Sequence, residues 1–144
     1  MAEENVGATF GLEIMAARNN VYQGRAKQLI FTASDGGKVG ILAKHQDFIG
    51  ALGIGELQYE TPDGEWHYYA SSSGTISMAN NRVLILTMTA EKPEEIDRRR
   101  AEDARDRALE AMRQKQSILE YRRTQASLAR ALSRLRVSEE HHFI

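Results

Sequence analysis

All 11 glycines of this 144-residue chain lie at or before Gly74, and its last proline is Pro93. From Glu94 to Ile144 no residue strongly breaks a helix. The chain therefore reads as two different polymers joined near Ala90. Residues 1–90 carry turns and β-branched and aromatic residues; residues 91–144 are rich in Ala, Arg, Glu and Leu. The division predicts an α+β chain, a β module followed by a helical arm. Such a chain suits action by contact and by movement of the arm.

Charge follows the same division. Thirteen of the 19 Lys and Arg residues lie at or after Lys92, and the arm's acids nearly match them. The arm is polyampholytic, and the net charge of −1 gives no general attraction to nucleic acid or an anionic membrane. With no cysteine, disulfides, thiol catalysis and Cys-ligated zinc or iron–sulfur sites are excluded. Met1-Ala2-Glu3-Glu4 has neither the basic nor the apolar region of a signal peptide. The apolar run Val83–Leu86 is far too short to span a bilayer.

Along residues 1–90, Phe10, Leu12 and Ile14 alternate with polar or small residues at strand period. Val21-Tyr22, Leu29–Thr32 and Val39–Leu42 are further strands, the last of buried type. Ser34–Gly37 and Pro62-Asp63-Gly64 are turns, and Ala51–Gly55 is a Gly-punctuated connection. Leu57, Tyr59 and Trp66–Tyr69 return as strands. Thr75–Met78 and Val83–Met88 flank Ala79-Asn80-Asn81-Arg82 as a hairpin. Short strands with turns every eight to twelve residues predict an antiparallel β-sandwich or barrel.

The helical part is predicted to start after Pro93, with Glu94, Glu95 and Asp97 in the first turn at the positive end of the dipole. Ile96, Ala101, Ala104, Ala108 and Met112 form one narrow stripe. Tyr121, Leu128, Leu132 and Leu135, with Ala131 beside them, form a second. Both stripes fade over Gln114–Ser117, so the arm reads either as a two-helix hairpin or as one helix of roughly 65–70 Å at ~1.5 Å per residue.

Three segments carry a family resemblance. Gly36-Gly37-Lys38-Val39-Gly40-Ile41-Leu42-Ala43-Lys44-His45 resembles the G-E-L-G-I-L-P-G-H segment of the epsilon subunits of bacterial-type F-type ATP synthases. Ile96-Asp97-Arg98-Arg99-Arg100-Ala101 is similar to their I/L-D-x-x-R-A motif, and Arg130–Val137 to the end of their second helix. The resemblance spans about residues 9 to 138 in order. Ala43-Lys44 replaces the usual Pro-Gly, Gln46–Ile49 an Ala-Pro-Leu-type stretch, and Lys38 a frequent Glu.

The resemblance implies a β-sandwich followed by a two-helix hairpin able to extend. It also implies a non-catalytic rotor subunit on the central stalk of a peripheral complex, at the cytoplasmic face of the bacterial inner membrane. The sandwich would contact the gamma subunit and the c-ring. The arm would inhibit ATP hydrolysis by entering the alpha/beta hexamer when extended. A regulatory ATP, held by Glu91, Ile96, Asp97, Arg100 and Ala101, would keep it folded. No other cofactor is implied.

The residues themselves allow part of this. Asp97 and Arg100 share a helix face, with Arg107 two turns on; Arg130 and Arg134 are four apart. A folded hairpin would bring the two arginine pairs together as a phosphate clamp. The same pattern equally describes a solvated, ion-paired helix face. Arg122, Arg123, Arg130, Arg134 and Arg136 could instead meet acidic residues of the beta subunit. Lys38 and His45 fall in or beside the segment that faces the c-ring in the family. His141-His142 reads as a frayed tail, so no metal ligand is assigned. Trp66, Tyr68 and Tyr69 read as strand packing rather than a nucleic-acid stacking surface. With no P-loop and no Ser/His/Asp signature, no catalytic residue is assigned. The alternative from another class is a β-module adaptor whose arm forms a coiled coil. Large residues hold for barely two heptads around Leu128–Leu135, which is weak for that role.

Overall fold

A computed structural model of the chain describes residues 8–114 and 116–141. The Met1–Glu4 segment, Lys115 within the expected bend, and His142 lie outside the described residues.

Two five-stranded sheets form the sandwich. One has the order β2 (Asn20–Ala26), β1 (Phe10–Ala16), β9 (Arg82–Thr87), β8 (Gly74–Ala79), β5 (Phe48–Leu52). The other runs β10 (Ala90–Glu91), β7 (Trp66–Ser71), β6 (Gly55–Glu60), β3 (Gln28–Thr32), β4 (Lys38–Leu42). Every strand pair is antiparallel except β1 with β9, which is parallel. The period-2 pattern of β1 sends Phe10, Leu12 and Ile14 inward. There they meet Ile76, Met78, Val83 and Ile85 from the same sheet, and Leu29, Phe31, Ile41, Leu57, Tyr59 and Tyr69 from the other. Burying a side chain of this size stabilises by about 1.5–3 kcal/mol. Burial and a 3.4 Å hydrogen bond with Tyr69 hold the Tyr59 hydroxyl far above the ordinary tyrosine range.

Two strand expectations change. Val39–Leu42 is an edge strand in which only Ile41 is buried, because one of its sides has no partner strand. Phe48–Leu52, to which no strand was assigned and whose last two residues fall in the Gly-punctuated stretch Ala51–Gly55, pairs with β8 as β5. The β8–β9 hairpin turns at Asn80 and Asn81, both at positive φ, 52° and 60°. A two-residue turn of this kind matches the twist of its strands, and Asn tolerates it. Gly74 is fixed by close approach, since a Cβ there would overlap the Leu86 carbonyl. Gly74→Ala is expected to cost about 3 kcal/mol through overpacking. Urea unfolding followed by tryptophan fluorescence would register it; an unchanged midpoint would mean that the β8–β9 pair yields freely.

The helical part starts later than expected. Pro93–Glu95 form a single 3-10 turn, Ile96 is extended, and Asp97 caps helix α1 (Arg98–Arg113). The acids therefore precede α1 instead of filling its first turn. The Asp97 carboxylate accepts from the Arg100 backbone N–H at 3.1 Å. Helix α2 (Ile118–His141) is antiparallel to α1, so the chain reverses between Arg113 and Ile118, where the bend was expected. Ser117 Oγ accepts from the Glu120 N–H and caps α2. Ala101 and Ala108 of α1 and Ala131 and Leu135 of α2 are buried. Leu132 and Tyr121, assigned to the second stripe, are 42% and 40% exposed. The helices approach through small residues and Leu135, while Leu132 and Tyr121 turn outward.

The hairpin lies on the second sheet. Val137 is 1% exposed and packs with Ala70 of β7 and Ile96. His141 stacks on Tyr68, ring centroids 3.7 Å apart and 9° from parallel. The end of α2 is thus docked up to His141, where a frayed tail was expected.

Candidate functional site in the helical hairpin

Antiparallel packing of α1 on α2 leaves a cleft of about 490 Å³ between them. From α1 it is lined by Ala104, Arg107, Ala108 and Ala111, at helical spacings i, i+3, i+4 and i+7. From α2 come Arg123, Thr124, Ser127, Arg130, Ala131 and Arg134, and Thr89 comes from the sandwich side. The volume suits a small ligand. Among the described residues, four guanidinium groups and no carboxylate line it, and only Arg134 has an ion-pair partner, so the cleft favours an anion. Guanidinium forks match phosphate oxygens with paired, charge-assisted hydrogen bonds. The hydroxyls of Thr89, Thr124 and Ser127 add neutral donors and acceptors.

One arginine ties this cleft to the sandwich. Arg134 Nε stands 2.8 Å from Glu91 Oε1, and its Nη2 donates to Oε2 at 3.1 Å. Both side chains are about three-quarters buried. Glu91 belongs to β10, so the pair bridges the edge of the sheet to α2. Arg130 Nη2 donates to Ser127 Oγ at 3.1 Å, keeping that guanidinium beside the cleft.

Of the residues singled out in the sequence, Arg107, Arg130 and Arg134 line the cleft together, with Glu91 on Arg134. Ile96, Asp97, Arg100 and Ala101 are not part of its lining. Ile96 docks the hairpin, Asp97 caps α1, and Ala101 is fully buried. The Arg100 side chain is exposed. Arg123, read as a partner contact, lines the cleft. The signal for it was present: Arg123, Ser127, Arg130 and Arg134 fall on one helix face at i, i+4, i+7 and i+11. Arg122 and Arg136 are exposed on α2. Lys38 is exposed at the start of β4. His45 is exposed just beyond β4, its Nδ1 2.8 Å from the Gln46 carbonyl and its ring edge-on to Phe48.

Asp97 offers a separable test. Asp97→Ala is expected to cost α1 about 1 kcal/mol through the lost cap, while Asp97→Ser keeps it. Thermal melts of helicity by circular dichroism distinguish the two. Equal losses in both variants would show that capping is not what Asp97 contributes.

Comparison with known proteins identifies the frame around this cleft. The family description "ATP synthase, Delta/Epsilon chain, beta-sandwich domain" matches residues 9–93, and "ATP synthase, Delta/Epsilon chain, long alpha-helix domain" matches residues 94–139. The chain belongs to the ATP synthase delta/epsilon chain family. An ATP synthase epsilon chain of Ruminiclostridium cellulolyticum is 41% identical over 128 residues, 89% of this chain and 94% of the relative. One of Caldicellulosiruptor bescii is 38% identical over 133 residues, 92% of this chain and 96% of the relative. A chain of the Euglena gracilis mitochondrial ATP synthase (OSCP/F1/c-ring) shares the fold, with a TM-score of 0.72 at 23% identity. It is covered to 80%, and this chain to 90%. As an epsilon-type chain it is a non-catalytic ATP synthase subunit. Among the described residues no helix is long and apolar enough to cross a membrane.

Proposed function

We propose that this chain is the mobile regulatory subunit of the rotor of a bacterial ATP synthase, peripheral to the membrane at its cytoplasmic face. The sandwich binds the gamma subunit and the c-ring and takes part in coupling proton flow to ATP synthesis. Lys38 and His45 lie on the c-ring side. Residues 91–144 act as a brake on ATP hydrolysis. Folded, the arm rests on the sandwich; extended, it enters the alpha/beta hexamer, where Arg122, Arg123, Arg130, Arg134 and Arg136 meet acidic side chains.

The observation that carries this reading is the four-arginine cleft. Its two walls meet only in the antiparallel hairpin, so a ligand that fills it stabilises the folded arm and not the extended one. ATP is the ligand whose charge, size and place in this enzyme fit. Its phosphates engage Arg107, Arg123, Arg130 and Arg134. Ile96, Asp97 and Ala101 act indirectly, by docking, capping and packing α1; Arg100 contributes the backbone N–H that Asp97 caps, and Glu91 positions Arg134.

The magnitudes allow a switch. Among the described residues, docking includes one buried valine against Ile96 and Ala70, about 1.5–3 kcal/mol, the partly buried Arg134–Glu91 pair, and His141 stacked on Tyr68 beside Glu56. A ligand present at 100 times its Kd shifts such an equilibrium by about 2.7 kcal/mol, which is comparable. Titration calorimetry of the full chain with ATP tests the reading. Saturable one-to-one binding at or below millimolar ATP is expected, and its absence at millimolar ATP would sink the nucleotide site.

A further inference from the structure

The docked end of α2 places a second set of ligating groups together, away from the arginine cleft. His141 Nε2 stands 3.2 Å from Glu56 Oε2 on β6 and 3.8 Å from Glu140 Oε2. The ligating atoms of all three lie within 4.8 Å of one another. The Glu56 side chain is only 7% exposed, a costly place for a carboxylate. A single Nε2–H can serve one acceptor, yet two carboxylates converge on this nitrogen. A cation between them resolves both the repulsion and the burial.

The spacing fits a transition metal. Bonds of about 2.0–2.1 Å from a tetrahedral zinc ion to N and O ligands set those ligands about 3.3–3.4 Å apart. The 3.2 Å edge already matches; the 3.8 Å edge and the Glu56–Glu140 edge, which lies within 4.8 Å, close by a shift of the exposed Glu140. Tyr68 clamps the imidazole face-on and leaves its Nε2 edge toward the carboxylates. A shallow hollow lined by Trp66, Tyr68, Lys92, Glu94 and His141 reaches the imidazole of the site.

We propose that Glu56, Glu140 and His141 form a divalent transition-metal site that exists only while the arm is folded, with Zn²⁺ as its natural probe. One ligand comes from the sandwich and two from the end of α2, so the metal latches the arm independently of the arginine cleft. The effect on the arm rests on the two-state reading above; the binding itself does not.

Metal-stripped full chain titrated with Zn²⁺ by calorimetry tests the site. One Zn²⁺ per chain is expected, with binding weakened at least tenfold in Glu56→Gln and in His141→Ala. Glu140→Gln leaves the His141–Glu56 pair intact and the arm docked, and it too is expected to weaken Zn²⁺ about tenfold. His142→Ala is expected to bind normally. In a dye-paired chain reporting arm position, Zn²⁺ at ten times its Kd raises the folded-to-extended ratio about 11-fold. Absence of saturable binding, undiminished binding in Glu140→Gln, or loss only in His142→Ala would each overturn the metal site. Zn²⁺ binding without arm movement would retain the site and overturn the latch.

Discussion

Val137→Asp is expected to detach the arm from the sandwich while both remain folded. Val137 is the most buried residue of the small cluster that joins α2 to Ala70 and Ile96. Replacing it removes about 1.5–3 kcal/mol of apolar burial. It also offers that contact an uncompensated carboxylate, which costs several kcal/mol more. The core of the protein would have to absorb such a penalty. A docked arm avoids it by leaving, so the folded population is expected to fall at least 100-fold. The sandwich core shares no residue with this cluster and should melt unchanged. Val137→Ala, which loses two methyl groups, should give an intermediate effect. Within the assembled enzyme, Val137→Asp should deepen inhibition of hydrolysis, because the released arm is free to enter the hexamer. Dye-pair distances and steady-state hydrolysis read the two consequences separately. A docked arm in Val137→Asp would show that the α1–α2 packing, not this cluster, holds the folded form.

Arg134→Glu has the second large effect. In the folded arm Arg134 holds Glu91 with two contacts and faces the cleft. Reversal removes a guanidinium whose charge-assisted hydrogen bonds to phosphate contribute about 1.5–3 kcal/mol, and it adds repulsion of the ligand. ATP affinity should fall at least 100-fold by calorimetry. Combining Arg134→Glu with Glu91→Arg re-forms the bridge from β10 to α2 with its polarity exchanged. Docking should return in that double variant, and ATP binding should not. If ATP binding also returned, Arg134 would be a tether rather than a phosphate ligand. Reversing Arg130 together with Arg134 should in addition relieve inhibition, because both are assigned to the hexamer contact of the extended arm. Equal inhibition in that variant would mean that α2 is not the brake.

How far these sites could be read ahead depended on the range of the interactions. β1 was plain because alternation at Phe10, Leu12 and Ile14 is local, and the arm was plain because glycine stops at Gly74. β4 was misjudged because Val39, Ile41 and Leu42 look buried, and nothing local says that a strand is at the edge. β5 was missed because Gly50 interrupts a short stretch whose strand character comes from pairing with β8. The start of α1 was displaced by Pro93, although Asp97 is a strong cap. Arg123 was separable from Arg122 only by helical phase once α2 had a facing helix. The docking of His141 was beyond reach, since its partner Glu56 lies 85 residues away in sequence.

In the proposed switch, ATP in the arginine cleft keeps the arm on the sandwich and so releases the brake. Its most direct test is one dye on α2 and one on the sandwich in the assembled complex, with arm distance and ATP hydrolysis recorded together as ATP is varied. A short distance with rapid hydrolysis is expected at millimolar ATP, and a long distance with suppressed hydrolysis when ATP is depleted. Inhibition that came and went while the distance stayed fixed would contradict it.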